Sequence, residues 1–115
     1  MGTTARRNAG KIQEMSFRVI HDSEATFEFQ EAVAWYEGRA EGLGVRFTLE
    51  VDAVITAITS EPFRFSKAGR KARKARILGW PYTIYFVVNE AHAEIKVIAV
   101  WHGARNPAEL RRRLK

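Results

Sequence analysis

Two runs near the C-terminal end constrain this chain more than anything else in it. Tyr82–Val88 and Ala93–His102 are dense in β-branched and aromatic residues, and only Asn89–His92 separates them. Such runs are stiff at χ1 and pack well on a pleated surface, and a four-residue spacer suits a hairpin loop. A third run, Lys74–Leu78, leads in and is cut from the second by Gly79, Trp80 and Pro81. The spacing predicts three successive antiparallel strands. Strict alternation along the last one puts Ile95, Val97, Ala99 and Trp101 on one face and Glu94, Lys96 and His102 on the other. Ile98 and Val100 fall on that polar side, so both faces of its second half are expected to be covered.

A sheet with an apolar face needs something to bury it, and the central part of the chain supplies two helices. His21–Glu24 offers an N-cap and first-turn acids, which suit the positive end of a helix dipole. Ala25, Phe29, Ala32, Val33 and Tyr36 follow at helical spacing, with Glu24, Glu28 and Glu31 off the stripe. Gly38 stops or loosens this helix. Leu43, Phe47, Val51, Val54, Ile55 and Ile58 then mark one face of a second helix, which Pro62 ends. The short glycine-bearing link makes the two an antiparallel hairpin. Phe17–Ile20 reads as a first strand, Phe63–Lys71 as a basic loop, and Asn106-Pro107 starts a short last helix. The expected fold is α+β: a strand, a helical hairpin, a three-stranded meander and a short C-terminal helix, with the helices on one face of the sheet.

The 115 residues make one domain over 16–115. Met1–Glu14 has no apolar period, and residues 1–15 read as a flexible extension, with Met15 a candidate start. No apolar run approaches the roughly 18 residues of a membrane span, and there is no signal-peptide core. With no cysteine, disulfides and thiolate metal sites are excluded, and a cytoplasmic location is expected.

The formal charge of +6 is unevenly spread. Nine of the 13 acids lie between Asp22 and Glu61, whereas Pro62–Leu78 carries seven cations and no acid. Arg105, Arg111, Arg112, Arg113 and Lys115 add a second basic block. Such polarity suggests a face for phosphates or for an acidic partner. No phosphate-binding glycine loop or nucleophile turn is present, and His21, His92 and His102 lack ligand-like spacing, so neither a metal nor a cofactor is expected. His102 stands out because it ends a buried strand three residues before Arg105, and imidazole titrates near neutrality.

Several segments in order resemble the RelE/ParE toxin superfamily. Glu31–Glu37, Gly42–Phe47 and Ile58–Pro62 look like its helical hairpin. Arg76–Tyr85 and Val97–Pro107 resemble its strand region, and the match spans Phe17 to Pro107. Trp35-Tyr36-Glu37 and Trp101-His102-Gly103 lean toward ParE-like members. The resemblance implies the toxin of a type II toxin–antitoxin pair, held in a hetero-oligomer by a cognate antitoxin that contacts Trp35, Tyr36 and Phe47. The ParE-like reading makes DNA gyrase the target, met by Arg73, Arg76, Arg105, Arg111, Arg112 and Arg113. The RelE-like alternative is ribosome-dependent mRNA cleavage with His102, Arg76 and Arg105 as catalytic groups. A non-toxic nucleic-acid-binding module is the third reading.

Overall fold

A computed structural model describes residues 17–115; the expected extension at 1–15, with Met15, lies outside the described residues. Strand β1 (Arg18–His21) leads directly into helix α1 (Ser23–Arg39), whose N-cap Asp22 accepts a hydrogen bond from the Ala25 N–H at 3.0 Å. Helix α2 (Leu43–Ser60) returns antiparallel to it. A 3₁₀ turn at Pro62–Arg64 precedes β2 (Ser66–Ala68), β3 (Ala72–Arg76), β4 (Tyr82–Asn89), β5 (Glu94–His102) and α3 (Pro107–Arg113). The five strands form one sheet in the order β1-β5-β4-β3-β2, with β1 parallel to β5 and the other pairs antiparallel.

The hairpin between the helices is fastened by one side chain. Gly42 takes φ +86°, a left-handed conformation open to glycine at little cost. The Glu37 carboxylate at the end of α1 then accepts from the Gly42 and Gly44 N–H groups at 2.8 and 2.9 Å. It thereby caps two donors that the first turn of α2 leaves without helical partners. These bonds hold the Glu37 carboxyl below the usual carboxylate range. At Gly44 the helices approach so closely that a Cβ would lie 2.9 Å from the Val33 carbonyl oxygen.

The two predicted helical stripes converge on the sheet. Ala25, Ala32, Tyr36, Phe47, Val51 and Ile58 are buried against Ile84, Phe86, Ile95, Val97 and Val100. Trp80, in the turn before β4, plugs the end of this core: its ring meets Tyr36 at 4.7 Å and Phe47 at 5.2 Å between centroids. The turn that reads as a punctuator in sequence therefore also supplies a core aromatic.

Two sequence expectations need correction. The basic loop at 63–71 contains the short strand β2, which turns back on β3 through Gly69 at φ +83° and lengthens the meander to four strands. The alternation along β5 also breaks, because the register against β4 slips between Tyr85 and Phe86: Phe86 pairs with Val97, but Tyr85 pairs with Ala99. Ile98 is the extra residue of a β-bulge, and beyond it the faces exchange. Val100 and His102, opposite Ile84 and Tyr82, thus join Ile95 and Val97 on the helix side, while Ala99 and Trp101 turn to the far face. Val100 and Trp101 are both 4% exposed, so the second half of the strand is covered on both sides as expected. Glu94 and His102, expected on one face, lie on opposite ones.

Candidate functional site

The parallel ladder of β1 stops at His21 opposite Val97, so the second half of β5 has no strand on that side. Exposed edge groups invite another chain, and unpaired backbone groups are costly when buried. Here they are met by side chains. The Glu28 carboxylate, from the middle of α1, accepts from the Val100 N–H at 2.9 Å, and the Arg113 guanidinium of α3 donates to the Ile98 carbonyl. Glu28 and Arg113 are joined at 2.5 Å, and Arg105 donates to the same carboxylate oxygen at 2.5 Å. Both guanidinium groups also lie over the Trp101 ring, Arg105 at 3.7 Å and Arg113 at 5.4 Å from its centroid. Burial alone would lower the Arg113 pKa, but the Glu28 hydrogen bond and the charges of Glu28, Glu24 and Asp22 raise it. Arg113 is thus a fixed cation built into the fold.

This sealed edge forms the floor of a groove of about 970 Å³ that runs beside α1. One wall is the outer face of α1, where Phe27, Glu31 and Trp35 recur every four residues. Phe27 is 61% and Trp35 56% exposed, which is unusual for large apolar side chains eight residues apart on one helix face. Arg39 stands over the Trp35 ring at 4.7 Å. The other wall is Tyr82, His102 and Arg105. An aromatic chain connects groove to core: Phe47 packs on Tyr82 at 5.1 Å, and Tyr82 meets the His102 ring edge-on at 5.0 Å. Burial pushes the Tyr82 phenol up, with a smaller push from Tyr36 and an opposing pull from Arg105.

His102 closes a tight turn, its Nδ1 accepting from the Ala104 N–H at 2.9 Å. One ring nitrogen is therefore committed to structure, leaving Nε2 to meet a ligand. Arg76 and His102 both line a second, smaller cleft of about 190 Å³, together with Thr83 and Gly103. Arg105 lines the larger groove with His102, and its backbone N–H donates to the His102 carbonyl at 3.0 Å.

The remaining expected site residues scatter. Arg73 is not beside them: its guanidinium donates to the Phe65 carbonyl at 2.7 Å and stands over Phe63, holding the 3₁₀ turn to β3. Arg113 is engaged inside the fold, whereas Arg111 and Arg112 are exposed. Of the three expected antitoxin contacts, Trp35 is presented to solvent and Tyr36 is 8% exposed. Phe47 is fully buried beneath Tyr36, Trp80 and Tyr82, so its expected role in a partner contact is corrected to core packing. Sequence reasoning missed Glu28 and Phe27. Phe27 carried a usable signal, an aromatic off the apolar stripe of its own helix; Glu28 carried none.

With this geometry in place, comparison with known proteins gives one informative result. No protein-family model matches the chain, and no curated protein matches it. Among solved structures it is similar to a chain of the "Chromosomal ParDE TA system from P. aeruginosa". The TM-score is 0.60 at 14% identity, over 76% of this chain and 97% of that one. The two chains share a fold. At such identity the likeness extends to architecture, and the side chains of the groove must speak for themselves.

Proposed function

We propose that this chain is the toxin of a type II toxin–antitoxin pair, neutralised by an antitoxin segment lying in the groove beside α1. The observation that carries the reading is the exposed pair Phe27 and Trp35 facing Arg105 and His102 across an open groove, in a fold shared with a ParDE toxin–antitoxin structure. Two rigid aromatics give a partner anchors at low entropic cost, and they resemble the few residues that usually dominate a protein interface. Arg105 and Arg39 at the rim favour an occupant that is apolar on one side and carries carboxylates beside it. The test is expression of the chain alone and together with the adjacent small open reading frame. Arrest of growth by the chain alone, relieved by the neighbour and restored when Phe27→Ser/Trp35→Ser is paired with it, supports the reading. Harmless expression with no neighbour-encoded binder sinks it.

DNA gyrase is the target we infer, as for a ParE-like toxin, and the support is chemical. A gyrase poison needs a docking surface rather than an acid–base pair; Glu94 lies on the opposite face from His102, and the titratable neighbour left to His102 is Tyr82, whose phenol burial holds protonated. Purified gyrase decides: stabilised cleavage complexes favour the inference, and unperturbed supercoiling at excess protein ends it. One observation favours the alternative of mRNA cleavage, namely that Arg76 and His102 line one small cleft. Toeprinting on translating ribosomes would then show site-specific cuts that both Arg76→Ala and His102→Ala abolish.

A further inference from the structure

Two basic blocks far apart in sequence meet in space. The C-terminal end of α3 abuts the turn between β2 and β3, where a Cβ at Gly69 would lie 3.4 Å from the Leu114 Cβ and the Leu114 carbonyl oxygen. Arg70 and Lys71 flank this contact on one side, and Arg112 and Lys115 on the other; all four are exposed. Lys74 continues the surface, since it lies opposite Ser66 and Tyr85 on the sheet face turned away from the helical hairpin. None of these five cations makes an ion pair among the described residues, whereas Arg18, Arg64, Arg105 and Arg113 all do. No acid occurs between Glu61 and Glu90. The fold has gathered unpaired positive charge that the sequence keeps about forty residues apart, at a cost in self-repulsion that a bound polyanion would relieve.

We propose that this surface binds the phosphate backbone of duplex DNA without reading its sequence. The chemistry favours a duplex over a single strand. Single-strand sites interleave cations with exposed aromatics on which bases stack. The five cations here carry no row of such platforms: Phe27 and Trp35 are in the groove beside α1, Phe63 lies under Arg73, and the one aromatic among the cations, Tyr85 opposite Lys74, is half-buried in the sheet. Flexible lysines and arginines on a turn and a helix end suit the regular, dense charge of a double helix, where affinity comes from counterion release. The surface requires neither the toxin reading nor gyrase, and its test contains neither an antitoxin nor a topoisomerase.

The experiment is fluorescence anisotropy of a labelled DNA duplex of about 20 base pairs titrated with the full chain at several salt concentrations. About five phosphate contacts at about 0.9 each give a slope of log affinity against log salt near −4.5. Lys71→Gln/Lys74→Gln/Arg112→Gln is expected to bring that slope to about −2 and to weaken binding at least tenfold at low salt. Arg18→Gln/Arg39→Gln/Arg46→Gln removes the same net charge from other parts of the surface and is expected to leave the slope within about one of the wild type. Equal losses in the two triple variants would show a mere effect of net charge and overturn the site. Tighter binding of single-stranded RNA of equal length, or stronger competition by polyglutamate than by unlabelled duplex at equal charge, would overturn the assignment to duplex DNA. Thermal melts of both variants within a few degrees of wild type confirm that folding is not what changed.

Discussion

Glu28→Ala tests the reading of the sealed β5 edge, because one carboxylate there does three jobs. Its side chain is 10% exposed and that of Arg113 17%, so this pair is largely shielded from water, while Arg105 at 40% can turn to it. Removing one partner of a buried pair costs about 3–5 kcal/mol, against about 0–1 kcal/mol for an exposed one. Losing the acceptor for the Val100 N–H adds a desolvation term of about 1–3 kcal/mol, which water entering from the groove partly restores. The expected loss for Glu28→Ala is about 3 kcal/mol, or a fall of about 12 °C in Tm for a domain near this size. Glu28→Gln keeps an acceptor for Val100 but not the charge, so about half of that loss, ~1.5 kcal/mol, should remain. Urea unfolding followed by circular dichroism reads both values. A double-mutant cycle with Arg113→Met isolates the pair, with an expected coupling above about 1 kcal/mol. A coupling under about 0.5 kcal/mol, or equal losses for Ala and Gln, would refute the reasoning, for Glu28 would then be an ordinary surface acid.

Gly44→Ala drives a methyl against the Val33 carbonyl, a backbone atom that cannot swing away, and should cost about 1–3 kcal/mol in the same unfolding assay. Gly38→Ala, where a Cβ meets nothing within 4 Å, should instead stabilise α1 slightly, by up to about 1 kcal/mol. Glu37 gives a pH signature: its folded-state pKa is depressed, so its contribution is present above the ordinary carboxylate range and lost as pH falls through the lower folded value. Chemical denaturation of wild type and Glu37→Gln should therefore differ at neutral pH and converge in acid, and a gap that widened on acidification would contradict the cap. Phe27→Ser/Trp35→Ser should leave Tm within a few degrees, since both side chains are already more than half exposed, while weakening binding of the proposed antitoxin at least about tenfold.

Much of the architecture was legible because it rests on period. The stripes of α1 and α2, a cap within His21–Glu24 and the three long strands each announce themselves locally, and their order along the chain already implies the α+β arrangement. What was not legible depended on tertiary choices. Strand β2 is Ser-Lys-Ala, an edge segment with no apolar alternation, and it exists only because β3 pairs with it. The bulge at Ile98 falls where β5 is apolar on both faces, so no polar residue marks the slip, and one extra residue moved His102 to the helix side. Glu28 looked like a solvated helix acid because its partners are 72 to 85 residues away. Phe47 was misjudged for the opposite reason: a helix stripe shows that a residue is apolar without showing whether it meets a partner or the core.

The two candidate surfaces share one short helix, and this constrains how they can act together. Arg113 of α3 seals the β5 edge at the floor of the groove, while Arg112 and Lys115, next to it in sequence, belong to the basic surface at Gly69. A groove occupant that sat only on Phe27 and Trp35 would leave α3 in place and the cations undisturbed. One that reached the edge and took over the Val100 N–H and Ile98 carbonyl as a β-strand would have to displace Glu28 and Arg113, loosening the helix that carries the cations. In the second case the two ligands oppose each other, and by linkage duplex DNA must weaken the groove partner by the same factor as the partner weakens DNA. In the first case both bind independently. Measuring DNA affinity with and without the proposed groove partner therefore distinguishes the two ways of filling the groove, and Arg113→Met, with its seal already broken, should abolish any opposition the wild type shows.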